Sequence, residues 1–164
     1  MFQQQNKISM LVNLMEIVKA SEKDAYWIVR HRVEMFRDMG MDNDALAKTK
    51  VLTEESLEQG FDEHSLYYLA KEGDEIVGGC AIAICKILPS PANVTGEFAY
   101  VFNMYVEKEH RRKGIASQLM THIKEQCETM NIFRLYLHAS DEGIQVYIKT
   151  GFVKSENFYE IRPW

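Results

Sequence analysis

The sequence contains little proline and little cysteine, with three residues of each type among 164. So little proline excludes a proline-rich or collagen-like chain, and 46% hydrophobic against 26% charged residues argues against disorder. The cysteines, Cys80, Cys85 and Cys127, are odd in number and lack the C-x-x-C spacing of zinc and redox sites. They favour a reduced protein in which all three are small core residues, without a disulfide framework.

Long apolar runs are also absent, since a membrane-spanning helix needs about 20 apolar residues. The best candidate, residues 8–18, is interrupted by Ser9, Asn13 and Glu16. Only one basic residue, Lys7, precedes it, and no cleavage pattern of small residues follows. We therefore predict a cytoplasmic protein with neither a membrane span nor a signal peptide.

A basic excess is lacking too, because 19 lysines and arginines stand against 24 acidic residues, for a net charge of -5. That sign is wrong for a chain that neutralises nucleic-acid phosphates, so no nucleic-acid partner is predicted. The acidic excess is concentrated in residues 61–100, whereas residues 101–164 are nearly balanced and leave room for a basic site. The acidic stretch mildly favours a cationic ligand.

The length is that of one domain, which typically has about 100 to 200 residues. Residues 1–14 are predicted to be an N-terminal extension that takes no part in the chemistry, and residues 15–164 a single domain. A core of this size needs no metal for stability. The five histidines lack the spacing of metal ligands, so no metal is predicted.

Hydrophobic periodicity changes repeatedly between the strand and the helix repeat along the domain. Helices are predicted from the turn at 20–24 to about residue 39, at 44–58, from about 115 to 130 and at 141–149. Strands are predicted at 15–19, 65–71, 75–84, 97–106, 133–138, 152–153 and 158–161. The fold class is α/β with a largely antiparallel sheet.

A basic turn joins the strand at 97–106 to the helix that follows it. The N-terminus of a helix carries about half a positive charge. Arg111, Arg112 and Lys113 are therefore unfavourable there unless an anion joins them, although a solvated basic turn is the simpler alternative. With free N–H groups and Gly114 for close approach, the turn predicts an anion cradle, and phosphate is its obvious occupant.

Two familiar phosphate motifs are absent. The chain has no G-x-x-x-x-G-K-S/T pattern, and Gly78 and Gly79 do not complete G-x-G-x-x-G. Neither a P-loop nor a dinucleotide-binding site is supported.

The segment Arg111-Arg112-Lys113-Gly114-Ile115-Ala116 resembles the Q/R-x-x-G-x-G/A acetyl-CoA signature of the GNAT superfamily of N-acetyltransferases. Met104-Tyr105-Val106 is similar to the strand end with which that family holds the pantetheine arm. Tyr147-Ile148-Lys149-Thr150-Gly151-Phe152 is similar to the family's Y-x-K-x-G-F end. The resemblance extends over roughly residues 15–162 and implies a mixed, largely antiparallel sheet of six to seven strands flanked by about four helices.

Residue by residue, the resemblance implies that the backbone of Met104 and Val106 bonds the pantetheine amides, and that backbone amides from 111 to 117 hold the pyrophosphate. A backbone N–H near Tyr105 or Val106 would meet the oxyanion of the reaction. Ser140 stands where many members have asparagine, and it reaches less far. The implied acetyl-CoA-binding residues are Met104, Tyr105, Val106, Arg111, Arg112, Lys113, Gly114, Ile115, Ala116, Ser117 and Ser140.

One candidate catalytic residue follows from the same resemblance, and the others from their place on the predicted strand and first helix. Tyr147 would protonate the departing CoA thiolate, whereas as an isolated residue it would be a packing tyrosine. The amine must lose a proton, and Glu97, or water ordered by Asn103 and Tyr105, is the candidate base. Two acids of the first helix, Glu34 and Asp38, could attract a cationic acceptor, although a solvated helix face explains them as well.

The predicted function is transfer of the acetyl group of acetyl-CoA to a primary amine of a small molecule or peptide, by direct attack in a ternary complex. The alternative is a catalytically silent CoA-binding regulatory module that keeps the cradle but has no amine pocket. Polyamines, amino acids, antibiotic amines and protein amines all stay open as acceptors. Dimerisation is frequent in proteins of this resemblance, so a homodimer is a further expectation.

Overall fold

The computed structural model describes residues 15–61, 64–156 and 159–161. The predicted extension at residues 1–14 lies outside the described residues, so its separation from a single domain at 15–164 stays a prediction.

Strands and helices follow one another much as the periodicity predicts. In chain order they are β1 (Met15–Lys19), α1 (Ala25–Asp38), α2 (Asn43–Glu58), β2 (Ser65–Glu72), β3 (Glu75–Lys86), β4 (Glu97–Val106), α3 (Ile115–Thr129), β5 (Leu135–Tyr136) and α4 (Ile144–Lys149). Single 3-10 turns at Glu22–Asp24 and Lys108–His110 precede α1 and α3.

The sheet has the strand order β1-β2-β3-β4-β5. The first four strands are antiparallel neighbours, and β5 alone runs parallel to its neighbour β4. The class is therefore α/β with a mixed, largely antiparallel sheet, as predicted. Four α-helices occur within the described residues, in agreement with the expected number.

The expected number of strands is wrong, because the described residues form five strands and not six to seven. Residues 152–153 and 159–161 lie outside strands, residue 158 lies outside the described residues, and the strand expected at 133–138 contains only Leu135–Tyr136. Apolar residues in these segments are largely exposed: Phe133 70%, Val153 89% and Ile161 91%. These segments have the composition of strands, but they lack a face that packs on the protein. Because β propensity largely reflects such packing, composition alone overpredicts strands here.

Helices cover both faces of the sheet. On one face, α3 buries the predicted stripe, which includes Ile115, Leu119, Ile123 and Cys127, against β2, β3 and β4. Burial of one large aliphatic side chain contributes about 1.5–3 kcal/mol, so this stripe fixes α3 on the sheet. On the other face, α1 and α2 enclose a smaller core around Leu69. The strand β4 lies between these two cores.

A β-bulge interrupts β4 at Asn103, whose φ of 54° lies in the left-handed region. Tyr105 is paired with Gly79 and Phe102 with Ala81, so two residues of β4 stand opposite one residue of β3. Asparagine tolerates left-handed backbone better than most residues. The bulge adds one residue to β4, so each side chain after it points to the opposite face of the sheet from the one that regular alternation would give.

Backbone hydrogen bonds show the same reversal. The Ala99 N–H donates toward the β5 edge, whereas the Glu107 N–H donates to the Val77 carbonyl of β3. In a regular strand these two N–H groups, eight residues apart, would point the same way. Beyond the bulge, the N–H groups of Met104 and Val106 therefore point away from β3, toward the β5 side.

Candidate active site

Among the described residues, the β5 side of β4 is open over the second half of the strand. Pairing with β5 is confined to Ala99 and Tyr100, and beyond them β4 pairs only with β3, through Val101, Phe102, Tyr105 and Val106. The predicted cofactor strand, Met104-Tyr105-Val106, lies in this unpaired part. The open edge leaves N–H donors for a ligand that lies along the strand.

The loop between β4 and α3 presents a row of unbonded backbone N–H groups. The Arg111 N–H bonds the Lys108 carbonyl at 3.3 Å, and the Gln118 N–H makes the first helical bond, to Gly114, at 3.1 Å. Between them, the N–H groups of residues 112–117 have no hydrogen-bond partner among the described residues. Arg112 and Gly114 have φ of 65° and 84°, and such left-handed residues among right-handed ones form anion-binding concavities.

Gly114 lies at the centre of this row. A Cβ built on it would have no protein atom within 4 Å, so the space beside the glycine is open to a ligand. Its φ of 84° strains any other residue. Ile115, 2% exposed, anchors the start of α3, while Ala116 and Ser117 are half-buried beside it.

The three cations of the loop differ in their surroundings. Arg112 and Lys113 are exposed and form no ion pair with a described residue, so both are available to an anion. The guanidinium of Arg111 is engaged: its Nε donates to the Val106 carbonyl at 3.0 Å, and it lies 5.3 Å from the Tyr105 ring centre. The expectation of three anion-binding side chains is therefore reduced to two.

Asp38 is the acid that holds Arg111. The carboxylate accepts a hydrogen bond from Arg111 and forms a 3.1 Å ion pair with Lys108. Burial alone would raise the pKa of Asp38, but the hydrogen bonds from Arg111 and Lys108 outweigh it and hold the pKa below its usual value. Glu34 is paired with Arg37 at 3.3 Å. The structure thus gives both candidate acids internal partners and does not favour the idea that they attract a cationic acceptor.

A buried histidine that the sequence did not single out lies under the bulge. His31 is 1% exposed, and its ring is 5.4 Å from the Tyr105 ring. Burial lowers the pKa of His31 to about 4, although Glu107 opposes this, so the imidazole is neutral at pH 7. Its Nε2 lies 3.6 Å from Glu107, which is bonded by Arg30 at 2.8 and 2.9 Å. A lone histidine in a helix gives no signal in sequence.

Asn103 connects the bulge to α1. It is 6% exposed, and its Nδ2 donates to the Ile28 carbonyl at 3.4 Å. Its Oδ1 is buried without a hydrogen-bond partner in the described part of the chain. The carboxamide therefore keeps one acceptor available beside the open edge of β4.

Tyr147, in α4, packs on the same core cluster as Met104 and Val106. Its ring lies 5.9 Å from the Phe152 ring. Burial, with a smaller contribution from Cys80, raises the pKa of Tyr147 to about 12, so the phenol is protonated at pH 7. The hydroxyl has no hydrogen-bond partner among the described residues and can donate to a ligand.

Gly143 makes room for the Tyr147 ring. A Cβ built on Gly143 would lie 2.9 Å from Cε2 of Tyr147 and 3.4 Å from Oγ of Ser140. The predicted cofactor residue Ser140 and the predicted acid Tyr147 are therefore on either side of one glycine. The sequence shows this glycine, but only the structure shows what it accommodates.

Glu97 lies apart from these residues. It begins β4, and its carboxylate lies 3.4 Å from Nζ of Lys86. Met104 lies seven positions further along β4, which is about 23 Å along a strand. The structure does not bring Glu97 together with the open edge or with Tyr147.

The described residues also bear on membrane insertion and on metal binding. No helix among them is long and apolar enough to cross a membrane. No group of three or more histidine, cysteine, aspartate or glutamate residues there could hold a metal ion.

The family profile described as "Acetyltransferase (GNAT) domain" matches residues 36–161, which is more than half of the chain. The chain therefore belongs to the GNAT acetyltransferase family. The matched part contains β4, the basic loop and Tyr147. A comparison with curated proteins finds no match.

Solved structures with the same fold include several acetyltransferases. A predicted acetyltransferase from Clostridium acetobutylicum, crystallised with acetyl-CoA, is 28% identical with a TM-score of 0.77 over 91% of this chain and 96% of that chain. A GCN5-related N-acetyltransferase from Ralstonia eutropha is 25% identical with a TM-score of 0.80 over 90% and 98%. Ribosomal-protein-alanine N-acetyltransferase from Brucella melitensis, 21% identical with a TM-score of 0.69 over 92% and 99%, shares the fold.

Proposed function

We propose that the protein transfers the acetyl group of acetyl-CoA to a primary amine of a small molecule or peptide. The observation that carries the proposal is the row of unbonded N–H groups at residues 112–117 beside the open edge of β4. Such a row at a helix N-terminus suits a pyrophosphate, and the edge suits the amides of a pantetheine arm. The similar structure that contains acetyl-CoA supports the same ligand.

In this proposal the loop binds the pyrophosphate through backbone groups, with Arg112 and Lys113 adding charge. The N–H groups of Met104 and Val106 bond the pantetheine arm. Because Arg111 Nε donates a hydrogen bond to the Val106 carbonyl, Val106 contributes chiefly its N–H to the ligand. Arg111 acts as a positioning residue, because it ties the loop to β4 and to Asp38 of α1.

The acetyl group would lie at the bulge, where the amine attacks its carbonyl carbon and the carbon–sulfur bond then breaks. An alkylamine has a pKa of about 10.4, so its deprotonation near pH 7 costs roughly 4–5 kcal/mol. Because Glu97 is far from the bulge, we propose that a water bonded to the Asn103 carboxamide oxygen passes this proton on to bulk solvent. The oxyanion is stabilised by an N–H of the open edge beside Tyr105, that of Met104 or Val106, because Tyr105 itself pairs with β3.

Tyr147 serves the leaving group. A thiol has a pKa near 8.5, and that of Tyr147 is about 12, so full proton transfer is uphill by about 5 kcal/mol in the free protein. The phenol can nevertheless donate a hydrogen bond that strengthens as charge builds on the sulfur. The proton moves to the thiolate as CoA leaves, and solvent restores it to the phenol.

We also propose that the protein is cytoplasmic. Cys80 and Cys127 are buried, as expected of small core residues, whereas Cys85 is only half-buried. Assembly into a homodimer stays a prediction from the family, to be measured by light scattering in solution.

A thiol-release assay with acetyl-CoA and a panel of amines tests the proposal. The panel contains a polyamine, amino acids, an aminoglycoside and a peptide with a free N-terminus. Amine-dependent release of CoA is expected with at least one class. Slow release that no amine accelerates, together with measurable CoA binding, would favour the silent CoA-binding module.

A further inference from the structure

The three arginines of α1 differ in their partners. Arg30 and Arg37 are paired with the carboxylates of Glu107 and Glu34. Arg32, between them, forms no ion pair or hydrogen bond with a described residue. Its guanidinium carbon lies 5.1 Å from the centre of the Phe36 ring.

The unpaired arginine is also the one whose charge is most withdrawn from water. The side chains of Arg30 and Arg37 are 38% and 47% exposed, as is usual for surface ion pairs. Arg32 is half-buried, and burial lowers the pKa of its guanidinium. A desolvated cation without a counter-ion is costly, so this position is unfavourable for the free protein alone.

Arg32 lies on α1, the helix that Asn103 connects to the bulge of β4. It follows Ile28, whose carbonyl is bonded by Asn103, by one helical turn. Burial lowers the pKa of the Arg32 guanidinium, and the Tyr67 phenol opposes this shift. The Tyr67 ring lies 6.1 Å from that of Phe102, the residue directly before the bulge.

No nearby carboxylate is available to Arg32 within the described residues. Asp38 is bonded to Arg111 and Lys108. The acids Glu34 and Glu107 are held by the other two arginines. A negative charge for Arg32 must therefore come from outside this set.

We propose that Arg32 binds an anionic group, a carboxylate or a phosphate, on the amine acceptor. A guanidinium that lies over an aromatic ring still presents its N–H edge, which matches either oxyanion with two parallel hydrogen bonds. The bond would orient the acceptor so that its amine faces the acetyl group at the bulge. The inference rests on the proposed function, and it replaces the mild preference for a cation with one for an amine that carries an anion.

Matched pairs of acceptors test this inference. Glycine, leucine and aminohexanoate are compared with their primary amides, and glucosamine 6-phosphate with glucosamine, in the thiol-release assay. Wild-type protein is expected to favour the anionic member by about tenfold to a hundredfold in kcat/KM, mainly through KM, as for a charged hydrogen bond. The carboxylate and phosphate pairs show which anion is used.

Variants separate recognition from a structural role. Arg32→Met should reduce the preference to within about twofold and leave turnover of the neutral members nearly unchanged, and Arg32→Lys should restore part of it. Arg37→Met is the matched control, and it should keep the wild-type preference. Equal losses for both members in Arg32→Met, or a wild-type preference for the neutral members, would overturn the inference.

Calorimetry with the CoA-loaded protein covers the case in which no member of the panel is turned over. Binding of an anionic member to wild type, lost in Arg32→Met, supports the inference, and no binding of any anionic member overturns it. Failure of the proposed function has a different signature, since neither acetyl-CoA binding nor thiol release with any amine would then be seen. That result overturns both.

Discussion

The two sides of the bulge in β4 are built in opposite ways. Toward β5 and α3, the chain presents backbone N–H groups that lack partners in the described part of the chain, at residues 112–117 and along the open strand. Toward α1, the polar groups are side chains, and most are paired with one another, as Arg30 is with Glu107 and Asp38 with Arg111. Donors without a partner can bind a ligand, whereas groups that bond one another stabilise the local structure.

The difference explains why a cofactor common to a family can be held by backbone while acceptors vary. Backbone donors depend on conformation and tolerate changes of side chain. A pocket made of side chains changes with each substitution. On the α1 side, Arg32 and the Asn103 oxygen are among the described groups that lack an internal partner, as is Nε2 of His31, and we propose that Arg32 and Asn103 serve the acceptor half of the reaction.

On the side that presents backbone N–H groups, we expect the largest loss of ligand binding from a substitution of Gly114. Gly114→Val adds a side chain into the open space over the N–H row and strains a φ of 84°, so CoA binding should be abolished. Titration calorimetry with CoA measures the loss. Gly40→Val is the matched control, because Gly40 has a φ of 85° and equally open surroundings but lies outside the row. Unchanged affinity in Gly114→Val would mean that CoA is held elsewhere.

Tyr147→Phe removes a side-chain donor while it leaves the backbone side intact. General acid catalysis is worth about 100- to 10,000-fold, so kcat should fall within or just below that range, with little change in CoA affinity. Single-turnover kinetics makes chemistry rate-limiting. Tyr68→Phe, another buried tyrosine of the same core, is the control and should keep its rate. Equal kcat values for wild type and Tyr147→Phe would return Tyr147 to a packing role.

Gly143→Ala should sharpen that result, since it moves the phenol without removing it. The new methyl group would lie 2.9 Å from the Tyr147 ring, so the ring must shift. Misplacement of a catalytic group by about 1 Å can cost up to about a hundredfold, and we expect a loss of kcat of about tenfold. A rate equal to that of wild type would show that the ring position is unimportant.

The α1 side predicts a pH dependence of stability. His31 has a folded pKa of about 4, below the usual 6.5, so the unfolded chain binds more protons between these values. The free energy of unfolding should therefore fall by about 3 kcal/mol as the pH drops from 6.5 to 4. Denaturant unfolding of wild type and His31→Gln across this range measures it. A parallel pH profile in the variant would contradict the assignment.

The link between the two sides should have the smallest effect. Asp38→Asn removes the carboxylate that holds Arg111, and a partly exposed ion pair contributes up to about 1 kcal/mol. CoA affinity should fall only a few-fold, mainly through faster dissociation as the loop loosens. Glu34→Gln, which breaks the separate pair with Arg37, is the control. A loss as large as that in Gly114→Val would mean that the loop depends on side chains after all.

The loop at residues 111–117 and the helix after it could be predicted from the sequence, because particular residue types mark both. Gly114 after a basic run marked the turn, and a stripe of apolar residues marked α3, and both predictions agree with the structure. The bulge could not be read, because Asn103 looks like an ordinary strand residue. The strand predicted at 133–138 is too long, since composition does not reveal that Phe133 faces solvent.

The α1 side could not be read for a further reason. Pairs such as Arg30 with Glu107 and Asp38 with Arg111 join residues more than 70 positions apart. No local pattern contains such contacts. The sequence identifies Glu34 and Asp38 as acids, but it does not identify their partners. Those partners, and the lack of one for Arg32 among the described residues, appear only once α1 is packed on the sheet.

The central claim, that the backbone of one side of β4 holds acetyl-CoA, is tested most directly by a crystal structure of the protein with CoA. The account predicts the pyrophosphate within hydrogen-bond distance of N–H groups in residues 112–117, the pantetheine amides on Met104 and Val106, and the sulfur near the Tyr147 hydroxyl. CoA bound away from this loop, or with its sulfur far from Tyr147, would contradict it.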